Sequence, residues 1–136
     1  MKFTYYSKIY ILKEIFMPNL KKILLRKLNL KKDISNKYLN WMNDLEVQKY
    51  TEQKYSKHSL TGIRKFVREK NKSKNEFLYG IFLKKDNFQI HIGNIKLGPI
   101  DSIHKTAKIS YLIGEKEFWD KGFTTLAIKE IIKIAK

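Results

Sequence analysis

The spacing of apolar and polar residues divides this chain into seven predicted elements. Four short apolar or alternating segments have the composition of strands: residues 22–30, 77–83, 88–97 and 106–113. Three other segments, 34–45, 60–67 and 126–135, repeat apolar residues at the three- and four-residue spacing of an amphipathic helix. The order is β-α-α-β-β-β-α. Because three successive strands are joined by short loops, we predict a mixed α+β fold in which an antiparallel meander packs against helices.

Capping and turn residues suggest where these elements begin and end. Asp33 and Ser59 precede the first two helices and are candidate N-caps. Gly93 interrupts the alternation of the third strand and predicts a bulge. Gly98 and Pro99 predict the end of that strand.

Residues 108–135 carry the most specific pattern. A strand ends at Gly114, a polar loop follows, and the turn 119–125, with the sequence WDKGFTT, leads into the last helix. Unpaired N–H groups and the positive end of the helix dipole suit the start of a helix to a phosphate. Gly122 would let the backbone approach such a ligand closely.

This turn resembles motif A of the GNAT superfamily of acyl-CoA N-acyltransferases, which holds the pyrophosphate of the acyl-CoA. The branch it resembles is that of the ribosomal-protein and amino-sugar N-acetyltransferases, in which the turn often reads WGKGYATEA. Here the matching residues are Trp119, Lys121, Gly122, Thr125 and Ala127, with Phe123 as a conservative replacement. The departures are Asp120, Thr124 and Leu126.

The resemblance implies acetyl-CoA as co-substrate, held by the end of the fourth strand and by the turn. The implied contact residues are Leu112, Ile113, Trp119, Asp120, Lys121, Gly122, Phe123, Thr124 and Thr125. Two of them oppose phosphate binding: Asp120 adds a negative charge, and Thr124 places a branched side chain where the family prefers Gly or Ala. Asp120 is therefore also a candidate N-cap of the last helix.

The family fold continues beyond motif A with a further strand, helix and strands. That strand opens the cleft for the pantetheine arm, and that helix supplies a tyrosine that protonates the leaving thiolate. Because the chain stops at Lys136, the resemblance implies a fold truncated after motif A. We expect this partial domain to span residues 21–136 and to follow an N-terminal extension, residues 1–20.

Acetyl transfer to an amine also requires a proton acceptor. Many relatives carry a glutamate in a strand that reads AEIGY, whereas this chain reads AKISY with Lys108 in that place. A lysine with its ordinary pKa of about 10 is no base near neutral pH. His104 is the remaining candidate base, since an imidazole titrates in the useful range, and a solvated loop histidine is the alternative. His91 is expected to be structural, and the histidines lack the spacing of a metal site.

The acceptor site of the family lies beside the first helices, which points to Trp41 and Asp44. Trp41 is expected in the core, and only an exposed ring would stack on a sugar or nucleotide. The implied activity is N-acetylation of a primary amine, on a nucleotide-linked amino sugar or a protein N-terminus. A non-catalytic remnant of the family is the alternative.

Composition and charge refine this picture slightly. The 136 residues suffice for one domain, and the absence of cysteine excludes disulfides and a cysteine nucleophile and fits a reducing cytoplasm. A net charge of +16 attracts polyanions, but nearly all of the 29 cations are lysine, as in an AT-rich coding bias. A basic nucleic-acid-binding module is thus a less favoured alternative. No apolar run approaches the roughly 20 residues of a membrane span.

Overall fold

A computed structural model describes residues 22–51, 55–85 and 87–136 of the chain. It contains strands β1 (Ile23–Arg26), β2 (Phe77–Lys85), β3 (Phe88–Asp101) and β4 (Thr106–Ile113), and helices α1 (Asn36–Asn43), α2 (Leu60–Lys72) and α3 (Phe123–Ala135). A 3-10 turn, Lys116–Phe118, precedes α3. The proposed extension 1–20 lies outside the described residues and stays a prediction.

The strands form one antiparallel sheet in the order β1-β2-β3-β4. This confirms the predicted mixed α+β class and the meander. One apolar cluster joins the sheet to α3 and a second joins it to α1 and α2. The sheet is therefore covered on both faces, with Ile81, Ile92, Ile95 and Ile131 fully buried in the first cluster and Val67 in the second.

The start of the domain differs from the prediction because of Asp33. This residue does not cap α1; its carboxylate accepts from the Arg26 guanidinium at 2.7 Å and from the backbone N–H of Asn29 at 2.6 Å. The resulting turn ends β1 at Arg26 instead of near residue 30. Ser35 is the N-cap of α1, accepting from the N–H of Tyr38. Ser59 caps α2 as predicted.

Strand β3 is bulged as predicted beside Gly93. Its pairing with β2 passes from His91 to Gly93, so that Ile92 is the extra residue. A Cβ on Gly93 would lie 2.2 Å from the carbonyl oxygen of Leu112, so the close approach of β4 requires glycine here. The prediction that Gly98 and Pro99 end the strand was wrong, because pairing with β4 resumes after a register shift and continues to Asp101.

Candidate functional site

Strand β4 is the last in the strand order β1-β2-β3-β4, so it forms one edge of the described sheet. The N–H of Gly114 donates to the Ile92 carbonyl at 2.8 Å. Gly114 and Ile92 are thus a hydrogen-bonded pair, and such pairs alternate with non-bonded pairs in an antiparallel ladder. The next hydrogen-bonded pair is Leu112 with Asn94. Tyr111 and Ile113 belong to non-bonded pairs, so they direct their backbone groups to the free edge. Of the two predicted strand-end residues, Ile113 alone presents its backbone there.

The turn after β4 is fastened to the end of this strand. Trp119 is partly buried, and its indole Nε1–H donates to the Ile113 carbonyl at 2.7 Å. Phe118 is buried and meets the ring of Phe123 edge to face at 5.8 Å. The tryptophan and the two phenylalanines thus place the start of α3 next to the open strand edge.

Gly122, and not Asp120, is the N-cap of helix α3, so the predicted role of Asp120 as N-cap was wrong. Gly122 has a φ of 84°, a left-handed conformation that glycine adopts without strain, and this N-cap residue makes no side-chain cap hydrogen bond. The N–H of Leu126 donates to the Gly122 carbonyl. The N–H groups of a first helical turn lack partners four residues back, so this uncapped start offers donors to an anion.

A cleft of about 940 Å³ surrounds the free edge of β4. It is lined by the predicted cofactor residues Leu112, Ile113, Trp119, Asp120, Gly122, Phe123, Thr124 and Thr125. Lys121, the ninth predicted residue, is not in this lining. The opposite wall comes from α1, from β3 and from the segment after α1, with Tyr38, Met42, Glu46, Val47, Gln48, Tyr50, Thr51, Asn94 and Lys96.

Two other predicted site residues, His104 and Trp41, are not in the lining of this cleft. His104 is exposed in the β3–β4 loop and pairs with Asp101 at 2.8 Å. It precedes the start of β4, whereas the turn follows its end, more than about 20 Å along the strand. Trp41 is only 4% exposed and belongs to the core, as the sequence favoured. Its ring is therefore not available for stacking on an acceptor.

Asp44 is the C-cap of α1 and belongs to an ion-pair cluster with Glu46, a residue of the cleft lining. The Lys116 ammonium lies 2.9 Å from the carboxylates of both Asp44 and Glu46. The hydrogen bond from Lys116 lowers the pKa of Asp44, and the two carboxylates raise the pKa of Lys116. These contacts tie the 3-10 turn to the segment after α1, across the site.

Two buried polar residues of the cleft wall were not predicted. Gln48 is 1% exposed; its amide donates to the Trp41 carbonyl at 3.1 Å and accepts from the Thr51 hydroxyl at 2.7 Å. Asn94 is 5% exposed and its Oδ1 lies 2.8 Å from Nε2 of His91. Neither residue belongs to a recognisable motif, so the pattern of the sequence carried no signal for them.

The strand edge, the glycine turn and the start of the helix all lie within a segment that matches a family model. The model of the acetyltransferase (GNAT) domain matches residues 22–136. The chain belongs to the GNAT acetyltransferase family. A search of curated proteins found no match.

Solved GNAT structures share the fold. Spermidine N-acetyltransferase from Vibrio cholerae, in complex with CoA and spermine, has a TM-score of 0.67 at 22% identity over 83% of this chain and 63% of that chain. The microcin C7 self-immunity acetyltransferase MccE, in complex with acetyl-CoA and AMP, has a TM-score of 0.62 at 23% identity over 82% of this chain and 61% of that chain. An acetyltransferase from Bacillus anthracis gives 0.63 at 20% identity, over 84% and 62%.

At these identities the likeness concerns the fold. The GNAT chain covers 61–63% of the length of these solved structures, or about three fifths. Among the described helices, none has the length and apolar character needed to cross a bilayer.

Proposed function

We propose that the cleft binds acetyl-CoA and that this GNAT chain takes part in N-acetylation of a primary amine, on a nucleotide-linked amino sugar or a protein N-terminus. The observation that carries the proposal is the uncapped start of α3 at Gly122, placed at the free edge of β4. The solved relatives in complex with CoA or acetyl-CoA support the choice of co-substrate. The lack of cysteine fits the reducing cytoplasm, where we place the reaction.

In this proposal the two parts of the site divide the co-substrate between them. The first-turn N–H groups of α3 bind the pyrophosphate, and Lys121 adds positive charge beside it. The backbone groups of Tyr111 and Ile113 at the free edge bind the amides of the pantetheine arm. The Ile113 carbonyl already accepts from Trp119, so its N–H is the group we assign to this task.

The reaction proposed is direct transfer without an acyl-enzyme. The amine nitrogen attacks the thioester carbonyl carbon, a C–N bond forms, the C–S bond breaks, and CoA leaves as a thiolate. The amine loses a proton and the leaving thiolate takes one up, so the products are the amide and the CoA thiol. The carboxylates among the described lining residues are Glu46 and Asp120. Glu46 is paired with Lys116, and Asp120 belongs to the phosphate turn, so neither is assigned as the base.

A CoA-binding protein without turnover is the second candidate. One observation favours it: Lys108 lines the cleft in the place where many relatives carry the glutamate base. Measuring both CoA binding and thiol release from acetyl-CoA with a panel of amines separates the two candidates.

Gly122→Val tests the proposal. Valine would strain the left-handed backbone and place a branched side chain at the start of α3, so CoA affinity should fall at least about tenfold, given about 1.5–3 kcal/mol per hydrogen bond to a charged group. A pantetheine fragment without phosphates should bind as before. Gly122→Asn is the matched variant, because asparagine tolerates this φ but still fills the space.

Restoring the family residues should act in the opposite direction. Thr124→Ala should raise CoA affinity by relieving crowding, and Asp120→Gly by removing a negative charge. The gain from Asp120→Gly should shrink with added salt, since exposed charges are screened over about 10 Å at 0.1 M. Calorimetry that shows no CoA binding by the parent chain, or equal binding by parent and Gly122→Val, would refute the proposed site.

A further inference from the structure

The bulge in β3 brings two polar side chains to the same face of the sheet. His91 and Asn94 are three residues apart, a spacing that places side chains on opposite faces of a regular strand. The extra residue Ile92 changes this, and Nε2 of His91 lies 2.8 Å from Oδ1 of Asn94. Both residues are buried, at 7% and 5% exposure, on the face covered by α1 and α2.

Aromatic rings fix the position of the His91 imidazole. It stacks on Phe82 at 4.8 Å and meets Trp41 edge to face at 4.8 Å and Tyr38 at 5.7 Å. Burial lowers the pKa of His91 to about 4, so the imidazole is neutral near pH 7. A neutral ring that donates from Nε2 takes the amide oxygen of Asn94 as its acceptor.

The amide nitrogen of Asn94 is then the group that can donate a hydrogen bond to a ligand in the cleft. Asn94 lines the cleft, and in the described part of the chain its side chain bonds to His91 through the oxygen. The phosphate-binding turn lies on the α3 face of the sheet, whereas Asn94 lies on the opposite face. A ligand that occupies both must pass around the free edge of β4, so Asn94 meets the end of the ligand that is far from the phosphates.

We propose that Asn94 is a substrate-binding residue whose amide N–H donates to the thioester carbonyl oxygen of the acetyl donor, and that His91 is the residue that positions it. This inference rests on the proposed function of the cleft. As the amine attacks, negative charge develops on that carbonyl oxygen, and a donor held in place by the neutral imidazole stabilises it without rearrangement.

Asn94→Asp tests the assignment with little change of shape. The carboxylate still accepts from His91 but has no N–H to donate. We expect affinity for acetyl-CoA to fall about tenfold, the size of one lost hydrogen bond, and affinity for CoA, which lacks this carbonyl, to stay within about twofold. Asn94→Leu, which is neutral and branched at Cγ like asparagine, should show the same selective loss and serves if the aspartate variant does not fold.

His91→Phe should preserve the ring contacts and release the Asn94 amide. The ratio of acetyl-CoA affinity to CoA affinity should then move towards the ratio measured for Asn94→Asp. A purely structural role of His91 would leave this ratio unchanged. Gln89→Glu is the matched control, because it makes the same amide-to-acid change on the same strand, at an exposed residue outside the cleft lining that bonds to Arg26.

The outcomes are distinct for the two proposals. Wild-type protein that binds neither CoA nor acetyl-CoA would overturn the proposed function and this inference with it. If the wild type binds both, then an Asn94 variant with unchanged acetyl-CoA affinity, or with equal losses for CoA and acetyl-CoA, overturns the role of Asn94 alone. Thermal melting of each variant verifies that the loss is not unfolding.

Discussion

Replacing Gly114 by alanine should test whether Trp41 is fixed in the core beside the site. Gly114 follows β4, and its N–H donates to the Ile92 carbonyl at 2.8 Å. A Cβ on Gly114 would lie 2.0 Å from Cδ2 and 2.3 Å from Cγ of Trp41. Carbon atoms in favourable contact are about 3.5–4.0 Å apart, so the backbone and the indole must separate by about 1.5 Å.

The indole has little room to give way. Trp41 is 4% exposed and lies between the rings of Tyr38, at 5.9 Å, and His91, at 4.8 Å. Overpacking of this kind costs about 1–3 kcal/mol, and a weakened bond to Ile92 adds about 1 kcal/mol. We therefore expect Gly114→Ala to lower the free energy of unfolding by about 2–4 kcal/mol and the melting temperature by roughly 10 °C.

Urea denaturation followed by far-ultraviolet circular dichroism measures this change. Gly62→Ala is the control, since the nearest atom to its Cβ is the Ser59 hydroxyl oxygen at 3.2 Å and alanine favours a helix; we expect no loss beyond about 0.5 kcal/mol. Trp41→Leu should relieve the clash, so the double variant with Gly114→Ala should be more stable than additivity predicts, by at least about 1 kcal/mol.

A loss below about 0.5 kcal/mol for Gly114→Ala would refute the packing argument. Trp41 would then be free to move, and its role as an acceptor-stacking ring, which its burial now speaks against, would deserve a new test.

Two further predictions concern pH. Because burial lowers the pKa of His91 to about 4, the unfolded chain binds the proton more readily. The contribution of His91 to the free energy of unfolding is fully present above about pH 6.5, and the free energy of unfolding falls by about 3 kcal/mol towards pH 4. His91→Phe should remove this slope from urea titrations. Burial alone would raise the pKa of Asp33, but hydrogen bonds from Arg26 and the Asn29 N–H outweigh it and lower the pKa. That contribution is present above about pH 4 and lost at lower pH, so Asp33→Asn should cost about 1–3 kcal/mol at pH 7 and progressively less towards pH 2.

The elements that the sequence predicted well are those with purely local signals. Strand β4 has the predicted bounds, Thr106–Ile113, because an apolar run is limited by a polar loop and a glycine. Helix α2 begins after Ser59, the residue whose side chain accepts from the N–H of Gly62. In both cases the deciding contacts lie within a few residues.

The errors arise where a distant or competing contact decides. Asp33 and Ser35 both have the chemistry of an N-cap, and Arg26 settles the choice by engaging Asp33 from the preceding strand. At the last helix, Asp120 has a capping side chain, but the helix starts only after Gly122, two residues further on. Neither choice follows from residue type alone.

The candidate site divides in the same way. The turn and the end of β4 form a contiguous motif, and eight of the nine predicted residues line the cleft. The opposite wall depends on tertiary contacts. Strict alternation separates His91 from Asn94, and it takes the extra residue in β3 to bring them together.

The two faces of the sheet therefore make separable contributions, and the variants can be read against each other. In the proposed site Gly122 acts on the phosphates, which CoA and acetyl-CoA share, so its substitution should weaken the binding of both equally. The proposed role of Asn94 is to act across the free edge of β4 on the thioester carbonyl, which CoA lacks, so its substitution should weaken the binding of acetyl-CoA alone. Because the two sites do not touch, their effects on acetyl-CoA binding should add in a double variant. A marked departure from additivity would mean that the ligand does not span the edge of β4 as inferred, and that turn and amide act on the same part of it.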